Sequence, residues 1–363
     1  MKKRLTIFAL GGNELSPAGI IDPVTGKIIF PDLAGQWKKT ADTCELLAKI
    51  ISKNPDGEYI VTHGNGPQVG NLIMNSKSGT VELDVCDADT QGSMGYMLSQ
   101  LTNSLRIIGV NKIAAETLTK VLVDESDPAF SFPTKFIGPS YSKEEAFEKA
   151  AKENRPFRYY KKDGNNNELW RWVVPSPPPL EIVEIDLIEA NLQAGMIPIV
   201  VGGGGVPVRK VKPEIINDEE IYFCKYGIQY KRKYSIDNLP VNIYTGVNAV
   251  IDKDLASSLL GKTIIEREFN RGNEVEASLC IFTNIDGVKL NYQQPDQKDL
   301  IHLKLSEIES LFNHNIFPEG SMAPKIKAAI NFLKGGGKKV FITKAELYED
   351  TLLGIKGTTI ESD

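Results

Sequence analysis

The sequence predicts an α/β protein built on a mainly parallel sheet with helices on both faces. Four short apolar or β-branched runs, "LTIFAL" (5–10), "EYIVT" (58–62), "MIPIVV" (196–201) and "ASLCIFT" (277–283), each stop at a glycine or a polar loop. Segments with helical apolar spacing lie between them. Strands that are apolar along their length and alternate with helices belong to parallel sheets buried on both faces. In such open sheets ligands bind beyond the carboxyl ends of the strands, which is where the glycine loops fall.

At 363 residues the chain has room for one large α/β unit or two lobes around a sizeable core. With 41% hydrophobic and 25% charged residues and a net charge of -5, it lacks the basic balance of a nucleic-acid binder. The start "MKKRLTIFALGGNEL" has a basic end before an apolar run, but that run is short for a secretory signal and ends in Gly-Gly-Asn. "IPIVVGGGGVPV" is interrupted by glycine and proline and is too short to cross a bilayer. A cytoplasmic protein without nucleic-acid or membrane partners is expected.

The elements follow in order. "GQWKKTADTCELLAKII" sets Trp37, Ala41, Cys44, Leu47 and Ile51 on one helical stripe, and "GYMLSQLTNSLRII" does the same with Met97, Leu101, Leu105 and Ile108; both stripes read as core. Residues 125–180 are rich in Pro, Lys, Asn and aromatics. They hold one helical piece, "SKEEAFEKAAKEN", which opens on a serine with an acid three residues on, so they read as a small excursion from the sheet. The polar stretch 209–245 reads as a surface insertion.

Cys44, Cys86, Cys224 and Cys280 stand far apart, which suits reduced thiols better than a zinc site. His63, His302 and His314 are the only histidines and have no metal-ligand spacing. No metal-ligating residue is assigned. His63 draws attention because it opens the loop "THGNGPQVG", where three glycines follow a strand within seven residues.

Glycine loops after strands cradle anions, because bare N–H groups and a following helix N-terminus both present positive charge. "ASSLLGKT" ends like a Walker A loop but has Ala256 where glycine is required. "GGGG" fails G-x-G-x-x-G, and "GNGPQVG" is one residue too long, which leaves a nicotinamide enzyme as a weak alternative.

Three lysines stand out by context. Lys135 lies between prolines in "PTKFIGP", Lys253 between acids in "VIDKDLASSLL", and Lys325 in the first turn of a helix with Ser321 as its candidate cap. A cation in a first turn opposes the helix dipole unless an anion neutralises it. Phosphoryl transfer requires such cations and N–H donors aimed at the moving group. Asp252 reads as the organiser of Lys253, and Asp254 as the cap of a helix beginning at Leu255.

Loops and lysines together resemble the carbamate kinases of the amino acid kinase family. The likeness runs in order through "ALGGNEL", "THGNGPQVG", "LDVCDADTQGSMGYML", "PTKFIGPSY", "RWVVPSPPP", "GGGGVPV", "AVIDKDLASSLL", "TNIDGVKLNYQQPDQKDL" and "EGSMAPKIKAAINFL". It implies a three-layer αβα sandwich with a mainly parallel central sheet. An N-lobe (1–200) would hold the phosphoryl acceptor and carry a protruding subdomain (125–180), and a C-lobe (201–363) would hold the nucleotide. It also implies a homodimer that, with Mg2+, moves phosphoryl between ATP or ADP and carbamate or carbamoyl phosphate, often towards ATP.

By the same resemblance Gly11, Gly12, Asn13, Gly64, Asn65 and Gly66 would line the acceptor. Lys135, Lys253 and Lys325 would neutralise phosphoryl oxygens, with Asp252 orienting lysines. Gly203 and Gly204 would admit the nucleotide phosphates, and Thr283, Asn284, Ile285, Tyr292 and Met322 would surround adenine and ribose. The chain departs from the family at Asp87 and Asp89 (commonly glycine and methionine), at Asn284 (aspartate), and at Trp172 and Pro178 (arginine and lysine). The two acids point either to a different small acceptor, such as one bearing an amine, or to solvent-facing or helix-capping carboxylates. A nucleotide-binding homologue without catalysis is the remaining alternative.

Overall fold

The computed structural model describes residues 3–16, 20–21, 28–29, 32–65, 68–75, 81–233, 241–318 and 322–363. Gly66 and Ser321 lie outside these described residues.

Eight strands form the main sheet, in the spatial order His302–Lys304, Thr358–Glu361, Lys339–Thr343, Val275–Phe282, Lys3–Leu10, Glu58–His63, Ile197–Ile199, Ala114–Glu116. The four apolar runs of the sequence are adjacent strands at its centre. All pairings within it are parallel except that of Lys339–Thr343 with Thr358–Glu361. Four strands come from residues 1–200 and four from residues 275–361; the two halves join where Lys3–Leu10 pairs with Val275–Phe282.

The alternation of side chains along each strand feeds two separate cores. Leu5, Ile7 and Ala9, with Ala277, Leu279 and Ile281, pack on one face against Ala256, Leu260 and Ile264 of helix Lys253–Asn270 and Ile326, Ala329 and Leu333 of helix Met322–Lys334. Phe8, Leu10, Cys280 and Phe282 face the other way, onto Cys44, Leu47 and Ile51 of helix Leu33–Ser52 and Met94 and Leu98 of helix Leu83–Leu98. Neither strand face meets water, so the sequence shows unbroken apolar runs there.

The stripe over 97–108 is not one helix. Helix Leu83–Leu98 ends and Leu101–Ile107 begins after a turn at Ser99 and Gln100. There Ser99 Oγ donates to the Tyr96 carbonyl and Gln100 Nε2 to the Met97 carbonyl, competing for the groups that would continue the helix. Met97, Leu101 and Leu105 remain buried, whereas Ile108 is largely exposed.

Within 125–180, strands Lys135–Tyr141, Glu168–Val174 and Phe157–Lys162 make a separate antiparallel sheet. Helix Lys143–Glu153 carries the capping box read from the sequence: Ser142 Oγ accepts from Glu145 N, and the Glu145 carboxylate accepts from Ser142 N. Within 209–245, strands Glu214–Ile216, Glu219–Phe223 and Gln229–Lys233 form a further antiparallel sheet, and residues 234–240 lie outside the described residues. Lys225 fastens this hairpin to the start of helix Leu83–Leu98, at 2.9 Å from Asp84 Oδ1 and in contact with Glu82. No helix among the described residues is long and apolar enough to cross a membrane.

Candidate functional site

The parallel strands Lys3–Leu10, Glu58–His63 and Val275–Phe282 end at one edge of the sheet, so Gly11–Gly12, Gly64–Asn65 and Thr283–Asn284 emerge side by side. Two cavities open there. The smaller, about 270 Å3, is walled by Gly11, Gly12, Gly64, Asn65 and Gly203 and by the predicted charges Lys135, Asp252, Lys253 and Lys325. The larger, about 430 Å3, takes in Thr283, Asn284, Ile285, Tyr292 and Met322. Gly11, Gly12 and Lys325 belong to both walls. Asn13 falls in the short turn Gly12–Glu14.

Helix Lys253–Asn270 starts at this edge. Asp252 is its cap, its Oδ1 accepting from Asp254 N at 3.0 Å and Leu255 N at 3.3 Å, while its Oδ2 takes Lys135 Nζ at 3.1 Å. Asp254 lies inside the first turn, with Lys253 Nζ on one carboxylate oxygen and Lys325 Nζ 2.7 Å from the other. The sequence reading, with Asp254 as the cap of a helix from Leu255, is therefore corrected. The helix opens two residues earlier, Asp252 caps it, and the buried Asp254 is free to gather two lysines from two helices.

The charges follow from this packing. Burial alone would raise the Asp254 carboxyl, but Lys253 and Lys325 hold it well below the usual carboxylate range. Burial likewise opposes ionisation of Asp252, and Lys135 and Lys325 together outweigh it. Lys253 is pushed down by burial, against the pull of Asp254, whereas at Lys325 that pull overcomes burial and raises the pKa. The nearby Lys325 charge also works against the Lys253 ammonium, and the shared Asp254 carboxylate offsets it.

The glycine loops make room for the protein itself as well as for a ligand. Gly203, at φ +66°, sits under the Asn65 amide, with which a Cβ would collide. Gly204, at φ +103°, lies where a Cβ would stand 2.6 Å from the Ile251 carbonyl oxygen, and it lines neither cavity. Gly203 faces the smaller cavity, not the larger. The loop is entered through Val201, itself at φ +54°, a conformation unusual for a β-branched residue.

His63 is fully buried beneath Gly202, and burial pushes its pKa down to about 4. Its Nδ1 lies 3.2 Å from the Gly64 carbonyl oxygen, and it lines neither cavity.

Two groups at the site, Arg171 and Glu14, have no role in the sequence reading, and a third, Asp87, has two alternative ones there. Arg171 lines the smaller cavity with its Nε buried and without a partner, its guanidinium over the Tyr160 ring at 4.9 Å. Glu14 lines the larger one with Oε2 buried and unpartnered, and burial raises its pKa. Asp87 neither faces solvent nor caps a helix: it is 1% exposed within helix Leu83–Leu98, its Oδ1 accepts from Asn65 Nδ2 at 2.7 Å, and burial raises its pKa well above the usual carboxylate value. Asp89, on the same helix, is exposed and faces solvent. Arg171 stands at the middle of strand Glu168–Val174, in the segment "RWVVPSPPP", and its sequence context alone does not mark it as a cavity residue.

No protein-family model matches the chain. It is, however, 38% identical over 357 residues to the carbamate kinase of Thermoplasma acidophilum, covering 98% of each chain. It is 36% identical to carbamate kinase 2 of Enterococcus faecalis over 95% of each. Among solved structures, Giardia lamblia carbamate kinase bound to AMP-PNP is 32% identical, covers 99% of each chain and superposes with a TM-score of 0.73. Relatedness over nearly the whole length, in sequence and in fold, makes this chain a member of the carbamate kinase family, a phosphotransferase acting on carbamate and ATP.

Proposed function

We propose that the larger cavity holds ADP or ATP, that the smaller holds carbamoyl phosphate or carbamate, and that phosphoryl crosses between them at Gly11, Gly12 and Lys325. The observation that carries this reading is the shared wall: three lysines from three distant segments converge on the smaller cavity, and one of them also borders the larger. In this arrangement Lys135, Lys253 and Lys325 neutralise the oxygens of the moving group, and main-chain N–H groups of the glycine loops add donors. Asp252 and Asp254 hold the ammonium groups where the charge develops. The AMP-PNP bound by the Giardia relative supports a nucleotide as one substrate.

Mg2+ fits this site. It draws ligands from phosphate oxygens and water more than from protein cages, and no group of three ligating side chains gathers among the described residues. The unpartnered Glu14 Oε2 is the protein oxygen in the larger cavity that would hold it. When bound, the ion would offset part of the negative charge on the phosphate oxygens.

Net formation of ATP is the direction we assign. A homodimer is supported by the apolar Tyr96, Ile107, Ile108, Ile113 and Leu118, exposed on elements beside the edge strand Ala114–Glu116. The four free cysteines accord with a reducing cytoplasm.

The test is direct: the protein, ADP, Mg2+ and carbamoyl phosphate are mixed and ATP is read by a coupled assay. ATP formation is expected. None from carbamoyl phosphate, with turnover of another small acyl phosphate, would replace the acceptor and keep the fold.

A further inference from the structure

The lysines and glycines of the smaller cavity recognise oxygen. They do not distinguish carbamoyl phosphate from acetyl phosphate, which carries a methyl group in place of the amino group. One group in the wall does offer that distinction. Asn65 lies over Gly203 and gives its Nδ2 hydrogen to Asp87 Oδ1 at 2.7 Å. The Asn65 Oδ1 is left buried and without a partner. A buried carbonyl oxygen in that condition is stabilised by a ligand that brings a hydrogen, and is penalised by one that does not.

We propose that Asp87 is a positioning residue that sets acceptor specificity: it fixes the Asn65 amide so that Oδ1 accepts an N–H of the substrate amino group. The inference rests on the reading of the smaller cavity as the acceptor site. An ionised carboxyl at 87 can only accept, which holds the Asn65 Nδ2 towards it and turns Oδ1 away. It also gives both partners a reason for their places. The carboxyl is sunk in a helix facing the cavity wall, and Gly203 keeps the far side of the amide free of a Cβ. Without an acceptor at 87 the amide can turn over and present N–H to the ligand, which no longer favours an amine.

The experiment compares kcat/KM for ATP formation from carbamoyl phosphate and from acetyl phosphate in the full-length protein. Asp87→Leu, similar in size but without an acceptor, is expected to lower the ratio of the two by about tenfold or more. Asp87→Asn keeps the shape, guards against loss of folding, and is expected to lower the ratio by a smaller factor. ADP binding by calorimetry verifies that each variant is folded. Equal losses with both substrates, leaving the ratio at its wild-type value, would mean a purely structural role and overturn the proposal. Failure of the wild type to use carbamoyl phosphate at all is a different result, which would overturn the assignment of the acceptor site and the proposal with it.

Discussion

Lys325 Nζ lies 2.7 Å from Asp254 Oδ2, across 71 residues of chain and between two helices. The other oxygen of that carboxylate holds Lys253. One buried acid thus fixes the distance between two cations drawn from helices Lys253–Asn270 and Met322–Lys334.

Asp254→Asn leaves both lysines buried beside each other without their counter-charge. Removing one member of a buried charge pair costs about 3–5 kcal/mol, and kcat is expected to fall on the order of a hundredfold. Urea unfolding and the coupled assay measure the two effects. A variant with wild-type kcat would show that the lysines hold their places by other means.

Asp252 has two jobs that substitution separates. Asp252→Asn keeps a good helix cap but gives up the ion pair with Lys135, so stability should stay within about 1 kcal/mol while turnover drops. Asp252→Ala should lose both. Lys135→Ala should by itself lower turnover by about a hundredfold, and an unchanged rate would remove Lys135 from the mechanism.

Gly203→Ala should damage acceptor binding more than nucleotide binding, because its Cβ meets the Asn65 amide and its φ is left-handed. The backbone strain alone is about 1–2 kcal/mol. The expected result is a kcat/KM for carbamoyl phosphate reduced at least tenfold with ADP affinity within about threefold. Parallel losses of both would place Gly203 nearer the nucleotide.

His63 makes stability depend on pH. Burial lowers its folded-state pKa from 6.5 to about 4, so above 6.5 it is neutral in both states and contributes nothing. As pH falls below 6.5 the unfolded chain takes up a proton that the folded chain refuses. Stability is therefore lost, by about 3 kcal/mol on reaching pH 4. Urea midpoints between pH 7 and pH 4.5 should fall less steeply in His63→Asn; identical slopes would contradict this account.

The four central strands were legible because both of their faces are dry, and a run such as "LTIFAL" has few other uses. The lysines were legible because each sits in an unusual local frame of prolines, acids or a first helical turn. The division of labour between Asp252 and Asp254 was not, since both residues suit a cap and only packing against Lys325 decides which carboxylate is buried. Asp87 was harder still. Its partner Asn65 is 22 residues away, and nothing in its own helix distinguishes a carboxylate that faces a cavity from one that faces water.

The three-stranded ribbon between Glu214 and Lys233 lines neither cavity, yet Lys225 ties it to the acids that begin the helix bearing Asp87. It serves as a splint on that helix. Trimming this outer ribbon would strip that brace from the helix whose buried face carries Asp87.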